Sequence, residues 1–190
     1  MKQFASGHAM QSAWVVDDLD AAVDAWLKVG IGPFFFVEYT PDLFEDSTYR
    51  GTPNPISMKI ALAQAGDMQI ELIEPTGEQA NIYRDTVPEG KTAFHHLCYW
   101  TDDLDGEIAS LVEQGHELAA TGTVAGSGAT FAYVDTSPVL GHMTALLTLQ
   151  MAGCIRDVQY GIAPDVSVRN QLRAVAGNQG RVLRGHVATE

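Results

Sequence analysis

Two stretches of this chain, 85 residues apart, follow one plan. The first begins at Gln11 and passes through Asp17, Asp18, Leu19 and Asp20 to close on Gly30. The second begins at His96 and passes through Asp102, Asp103, Leu104 and Asp105 to close on Gly115. Only five of the twenty paired positions are identical (three Asp, one Leu and the closing Gly), but the patterns agree more closely than the letters. Leu19, Val23, Trp26 and Leu27 fall opposite Leu104, Ile108, Leu111 and Val112. Their spacing, i, i+4, i+7 and i+8, marks one apolar helix face used twice. Two copies are too few for a solenoid, whose repeats stack to share a core. The repeat therefore predicts one domain built from two related halves.

At 190 residues and 46% apolar content, the chain can bury a sizeable core without a disulfide or metal staple. Residues 1–152 carry 21 acidic and six basic residues, a balance of −15, whereas residues 153–190 carry three and five, a balance of +2. A net charge of −13 argues against nucleic acid and against anionic membrane surfaces as partners. No run is long and apolar enough for a membrane span, and the first residues lack the apolar core of a secretion signal. Cys98 and Cys154 match no zinc or redox spacing, and Cys98 lies in a strand-like run as a small hydrophobe. A cytoplasmic location is expected.

Each copy opens with a strand, Ala9–Val16 and Phe94–Trp100. An Asp pair follows as helix cap and first-turn charge, and the helix ends at a glycine suited to the left-handed C′ position. Further strands are expected at Pro33–Tyr39, Ser57–Gln64 and Asp67–Ile73, then at Glu117–Thr123, Thr130–Asp135 and His142–Leu149. Thr40–Pro55, rich in Pro, Asp and Ser, reads as a long loop. Gly77–Lys91 links the halves, with a short helix around Ala80–Asp85. The glycine-rich loop Gly122–Gly128 has no helix pattern after it, so it makes a poor phosphate cradle. Residues 153–190 carry a helical patch, Val168–Val175, and read as a tail docking on the acidic body or on a partner subunit.

Side chains alternate faces along a strand, so parity tracks which residues share a site. Gln11 and His96 open equivalent strands. The run Gln69–Ile73 places Glu71 among apolar residues, where a carboxylate is costly unless paired or metal-bound. Its counterpart, Met143–Leu147, has Ala145 at the place where a carboxylate would complete a set of four. By parity His95 faces away from His96 and is structural, and His142 is surface or interface. His8, three residues before Gln11, reaches the site only through a bulge. Tyr39, Tyr83, Arg84 and Tyr133 are candidates for lining a pocket, with Arg84 either pairing an anionic ligand or solvated. Phe34, Phe35 and Phe36 read as core strand, with one ring available to the pocket.

The paired strand–Asp-Asp-Leu-Asp–helix–Gly units carry a family resemblance, together with the Ile70–Pro75 strand, the Phe94–Cys98 strand and Gly141-His142-Met143. Over about residues 8–150 the chain resembles the vicinal oxygen chelate superfamily. That family includes glyoxalase I, methylmalonyl-CoA epimerase, extradiol dioxygenases and bleomycin-resistance proteins, and the glyoxalase/epimerase-like branch is nearest. The resemblance implies an α+β fold: two tandem βαβββ modules, about residues 8–76 and 92–150, forming an open cupped β-sheet. Residues 1–152 would be the single domain and 153–190 a C-terminal extension.

The resemblance also implies a divalent metal at the centre of the cup, held from Gln11, Glu71 and His96. Ala145 stands in the fourth ligand place and cannot ligate. Amide, carboxylate and imidazole together suit Mn, Fe, Co, Ni or Zn rather than a thiolate-loving ion. Three protein ligands plus water make a catalytic arrangement. In the family the fourth carboxylate often moves the substrate proton, so here the base is Glu71, a bound hydroxide or His8. Tyr39, Tyr133, Met143 and Ala145 are the expected substrate contacts. The implied activity is that of a lyase or isomerase on a small carbonyl substrate whose vicinal oxygens the metal polarises, in a homodimer. The alternative is a metal-free binding protein or metal-independent isomerase on the same fold. His96 then becomes a core histidine, Gln11 a substrate-binding amide and Glu71 a carboxylate held by a neighbouring donor. An extradiol oxygenase fits poorly, because only one histidine occupies a ligand place.

Overall fold

The computed structural model describes residues 7–125 and 128–149, and the expected tail lies outside them. In chain order the elements are β1 (Ala9–Val15), α1 (Leu19–Lys28), β2 (Phe35–Tyr39), a 3₁₀ turn (Pro41–Leu43), β3 (Phe44–Tyr49), β4 (Thr52–Pro53), β5 (Met58–Ala65) and β6 (Met68–Pro75). They continue with α2 (Ile82–Thr86), β7 (Ala93–Trp100), α3 (Leu104–Glu113), β8 (Glu117–Val124), β9 (Ala129–Asp135), α4 (Ser137–Leu140) and β10 (Met143–Leu149). The strands form one mixed sheet in the order β2-β5-β6-β1-β7-β10-β9-β8-β3-β4.

The duplication is visible in the register. At the centre, β1 pairs antiparallel with β7. On its other edge β1 runs parallel to β6, with Gln11 opposite Gln69 and Ala13 opposite Glu71. In the same way β7 runs parallel to β10, with His96 opposite Met143 and Cys98 opposite Ala145. Gln11 thus corresponds to His96, and Glu71 to Ala145, through hydrogen-bonded strands. This is the α+β architecture of two βαβββ modules expected from the sequence.

Helices α1 and α3 cover the outer face. Beneath α1, Leu19 and Val23 pack on Phe34, Ala61, Ile70 and Leu72, with the Trp14 and Trp26 rings 4.8 Å apart. Beneath α3, Leu111 packs on Ala132, Val134 and Leu146. Only the second Asp of each pair caps its helix: Asp18 Oδ1 accepts the Ala21 N–H at 2.9 Å, and Asp103 Oδ1 accepts the Gly106 N–H at 3.1 Å. Asp17 instead accepts the Gly90 N–H at 3.0 Å and ties down the linker. Gly30 and Gly115 end the helices at φ +88° and +92°, the left-handed region that glycine enters freely.

Thr40–Pro55 is not the loop its composition suggests. Its strand β3 leaves the first half and pairs antiparallel with β8, on the edge of the second. The carboxylates of Glu45 and Asp46 point to solvent, and Asp46 sits at φ +54° where the register shifts. Charges and a bulge are how an edge strand avoids further pairing, and they also erase the apolar alternation by which strands are recognised. The β2 edge and the β3 edge meet where the Tyr39 and Phe44 rings lie 5.2 Å apart, so the sheet curls into a cup. Tyr49 and Arg50 bind Asp85 of α2, and Arg50 also reaches Glu117 on β8, fastening the crossing strand. The expected triple-Phe core strand is corrected as well: Phe34 is buried under α1, whereas Phe35 is 52% exposed.

Candidate functional site

Alternation along β1, β6 and β7 carries Gln11, Glu71 and His96 to the inner face of the cup. His96 Nε2 lies 3.3 Å from Gln11 Oε1 and 3.6 Å from Glu71 Oε2. His96 is 1% exposed and the Glu71 side chain 12% exposed. Burial raises the Glu71 carboxyl from 4.5 to about 8, and no Lys or Arg offsets it among the described residues. Burial, aided by His95 and His142, pushes His96 well below the ordinary histidine value. At neutral pH the pair therefore consists of a carboxylic acid beside a neutral imidazole.

Parity fails at one place in each half, and it is the same place. Between β1 and β7 the register shifts at Met10 and at His95, the residues immediately before Gln11 and His96. Each shift is a bulge that turns a second consecutive side chain inward. Met10 joins the inner apolar cluster at 5% exposure. His95, expected to face away, is fully buried with its ring 5.2 Å from Tyr83 and 6.0 Å from Tyr133. Its Nδ1 lies 3.0 Å from His96 Nδ1, and its Nε2 lies 3.1 Å from the Ile82 carbonyl oxygen. A bulge depends on how two strands meet, so no single strand announces it.

Gln69, absent from the candidate residues, is a further contributor. The Gln11 Nε2–H donates to Gln69 Oε1 at 2.8 Å, which turns Gln11 Oε1 toward His96. The signal for it lay in alternation, two residues before Glu71 on the same face.

The expected substrate contacts divide. Tyr133 is buried with its ring 5.0 Å from His96, and Met143 and Ala145 are buried in the same inner cluster. Ala145 lies across from Cys98 and Tyr133, so a methyl does occupy the fourth place. Tyr39 packs at the rim of this cluster, pushed up to about 12 by burial and by Glu71. Tyr83 belongs to the cluster too, its hydroxyl donating to Met58 Sδ at 3.0 Å. His8 does not join the site: despite the bulge at Met10 it stays exposed before β1, because the extra residue turns inward two positions later. Arg84 is also outside, its Nη1 donating to the Pro88 carbonyl at 3.4 Å. His142 is half-buried, its ring 5.4 Å from Phe94.

The donor set can be tested against a metal. Three ligands about 2.0–2.2 Å from one tetrahedral ion lie about 3.3–3.6 Å from one another. The two separations measured from His96 Nε2, 3.3 and 3.6 Å, match that range. The set contains an imidazole, a carboxylate and an amide. Among the described residues no group of three His, Cys, Asp or Glu has metal-holding geometry, so any such site depends on Gln11. With that amide included, the donor types and the two separations from His96 are compatible with a borderline divalent ion.

The profile of the Glyoxalase/Bleomycin resistance protein/Dioxygenase superfamily matches residues 10–133, and the chain belongs to this family. Among solved structures it is similar to a variant methylmalonyl-CoA epimerase from Streptomyces coelicolor in complex with 2-nitronate-propionyl-CoA. The identity is 19% and the TM-score 0.54, over 76% of this chain and 98% of that one. Methylmalonyl-CoA epimerase from Mycobacterium tuberculosis is similar at 17% identity and a TM-score of 0.55, over 80% and 93% of the two chains. A hypothetical protein from Bacillus halodurans C-125 is similar at 16% identity and 0.56, over 77% and 96%. At these identities the likeness is one of fold. No curated protein sequence matches.

Proposed function

We propose that the chain is a small-molecule isomerase or lyase of the glyoxalase/epimerase kind, moving a proton beside a carbonyl group with Glu71 as the acid–base residue. The observation that carries this reading is the Glu71 carboxyl, buried, 3.6 Å from His96 Nε2 and raised to about 8. A surface carboxylate is too weak a base for such a proton, whereas one near 8 is matched to neutral pH. The ionised fraction of Glu71, which grows as pH approaches 8, removes the proton and returns it to either face of the same carbon or to its neighbour. Gln11 and His96 orient the substrate oxygens. Tyr39, which keeps its phenolic proton, donates to the oxygen that gains charge. The apolar rim of Val37, Phe44, Leu62, Phe131 and Leu147 excludes water and selects a ligand with an apolar part. A divalent ion held by Gln11 Oε1, Glu71 and His96 Nε2 would supply Lewis-acid polarisation of two neighbouring oxygens.

A metal-free binding protein or isomerase on this fold is the second reading, favoured by the Ala145 methyl in the fourth place. The test follows exchange of α-protons in D₂O by NMR, with methylmalonyl-CoA and a panel of small 2-oxo and 2-hydroxy compounds. Methylmalonyl-CoA is included because two of the similar structures are its epimerases. Exchange by the wild-type protein should fall by about 10²–10⁴ in Glu71→Gln. Silence across the panel would overturn the enzymatic reading, and undiminished exchange in Glu71→Gln would overturn the role of Glu71. Metal content after chelator-free purification, and stabilisation by added Mn, Co, Ni or Zn, separate the two readings.

A further inference from the structure

We infer that His95 is a positioning residue that fixes the tautomer of His96, keeping the Nε2 lone pair of His96 aimed at the point shared by Gln11 Oε1 and Glu71. The inference rests on the reading that His96 Nε2 is the working atom of the site, and it adds a residue that parity had placed on the other face.

One chain of contacts places the protons. A carbonyl oxygen can only accept, so the Ile82 oxygen, 3.1 Å away, requires the proton of His95 on Nε2. The His95 ring is fully buried, and its hydrogen-bond partners are the Ile82 carbonyl and His96 Nδ1 rather than a carboxylate, so it carries a single proton. Its Nδ1 is then a bare lone pair, 3.0 Å from His96 Nδ1. Two bare nitrogens at that distance repel, and so do two N–H groups head to head. His96 therefore carries its proton on Nδ1 and donates it to His95. A neutral His96 is left with a bare Nε2, facing Gln11 Oε1 and Glu71 Oε2. The amide of Gln11 is constrained in the same sense, since its Nε2–H is engaged by Gln69 and its oxygen is turned inward. Two acceptor atoms, His96 Nε2 and Gln11 Oε1, thus face each other from two halves of the chain, and they need a proton donor such as the Glu71 carboxyl, or a cation, between them.

The anchor of this relay lies outside both modules. Ile82 is the first residue of α2, in the linker, and Asn81 Oδ1 caps that helix by accepting the Tyr83 and Arg84 N–H groups. The Tyr83 and Tyr133 rings, 6.2 Å from each other, both pack against the His95 imidazole. In the first half the equivalent of His95 is Met10, which cannot perform this function, and Gln69 orients Gln11 instead. A histidine present only for packing would not need a bulge to reach the one position that contacts both Ile82 and His96.

Long-range ¹H–¹⁵N NMR of the histidine side chains in the full-length protein reads the tautomer directly. The wild-type protein should show His96 protonated on Nδ1 and His95 on Nε2. His95→Gln keeps an amide oxygen to accept from His96 and an amide N–H for Ile82, so the His96 tautomer should persist. His95→Phe fills the space but cannot accept, so His96 should shift to the Nε2–H form or to a mixture. Affinity for Co²⁺ or Zn²⁺, measured by direct titration, should fall about 10- to 100-fold in His95→Phe and stay within a few-fold in His95→Gln. A wild-type His96 protonated on Nε2, or an unchanged His96 tautomer in His95→Phe, would overturn the inference. If His95→Phe does not fold, the wild-type and His95→Gln spectra still decide it. An Nδ1–H His96 in a protein that exchanges no α-protons would leave His95 in its role while removing the proposed reaction.

Discussion

Gln11 and His96 occupy one place in the two halves of the molecule, and Glu71 and Ala145 occupy another, yet the halves have diverged in character. The first half brings two amides and a carboxyl to the cup: Gln11, Gln69 and Glu71. The second brings two imidazoles, His95 and His96, set among Cys98, Met143 and Ala145. Their outer faces have diverged far less. Leu72 under α1 and Leu146 under α3 are equivalent strand positions, and both are fully buried. The difference has a physical origin. Each outer face must bury its own helix, so each half separately needs the same apolar pattern. The inner faces meet each other, so only their sum must pack, and polarity can gather on one side. A ligand in such a cup meets oxygen and nitrogen donors from the first half and from His96, and an apolar bed from the second.

The comparison of outer faces is exposed to the most drastic test. Leu72→Ala and Leu146→Ala should each cost about 3 kcal/mol, and nearly the same amount, because each opens a cavity in a closed layer. Chemical denaturation measures both, and a large disparity would mean that the halves are not equivalent scaffolds. Next comes the broken correspondence. Ala145→Glu restores a carboxyl to the second half and should destabilise the protein by about 2 kcal/mol, since the group is buried without a partner. Added Mn²⁺ or Zn²⁺ should recover that loss if the cup holds a metal, which thermal shift reports. Destabilisation that no ion relieves would mark the second half as purely apolar.

Ionisable groups give a third contrast, between Glu71 of the first half and His95 of the second. Glu71 is raised from 4.5 to about 8, so between those values the native state binds more protons than the unfolded chain. Stability should therefore fall as pH rises through that window and level off above it, with a slope of at most about 1.4 kcal/mol per pH unit. His95 is lowered from 6.5 to about 4, so its contribution runs the other way and is lost as pH falls from 6.5 toward 4. Urea denaturation across pH 4 to 9 should show Glu71→Gln removing the alkaline decline and His95→Gln reducing the acid-side loss, the rest of which belongs to His96. The smallest effect lies at the caps. Asp18→Ala and Asp103→Ala should each cost about 1 kcal/mol, whereas Asp17→Ala should leave α1 intact and free only the linker contact at Gly90. Equal losses at Asp17 and Asp18 would show that the cap is shared.

Much of the site was legible because it follows strand alternation from a repeat that could be aligned by eye. Parity and the equivalence of the copies put Gln11, Glu71 and His96 on one face, and the family resemblance singled them out there. Gln69 was legible in principle, being in phase with Glu71, but nothing in an isolated glutamine distinguishes an orienting amide from a solvated one. His95 was misread because parity assumes an unbroken strand, and β7 is broken there. β3 was missed because a charged edge strand lacks the apolar alternation that identifies strands.

What the chain alone determined is therefore local. Helix faces, Asp caps, closing glycines and alternating strands repeat over short spans, and their periods are set by backbone geometry within each segment. Tertiary structure decided what depends on two segments meeting. The bulges at Met10 and His95 arise where β1 and β7 pair, and β3 becomes a strand only when β8 offers its edge. The point where Gln11, Glu71 and His96 converge exists only because the two halves share one sheet. Interactions of that kind join residues tens of positions apart, and no period within either segment encodes them.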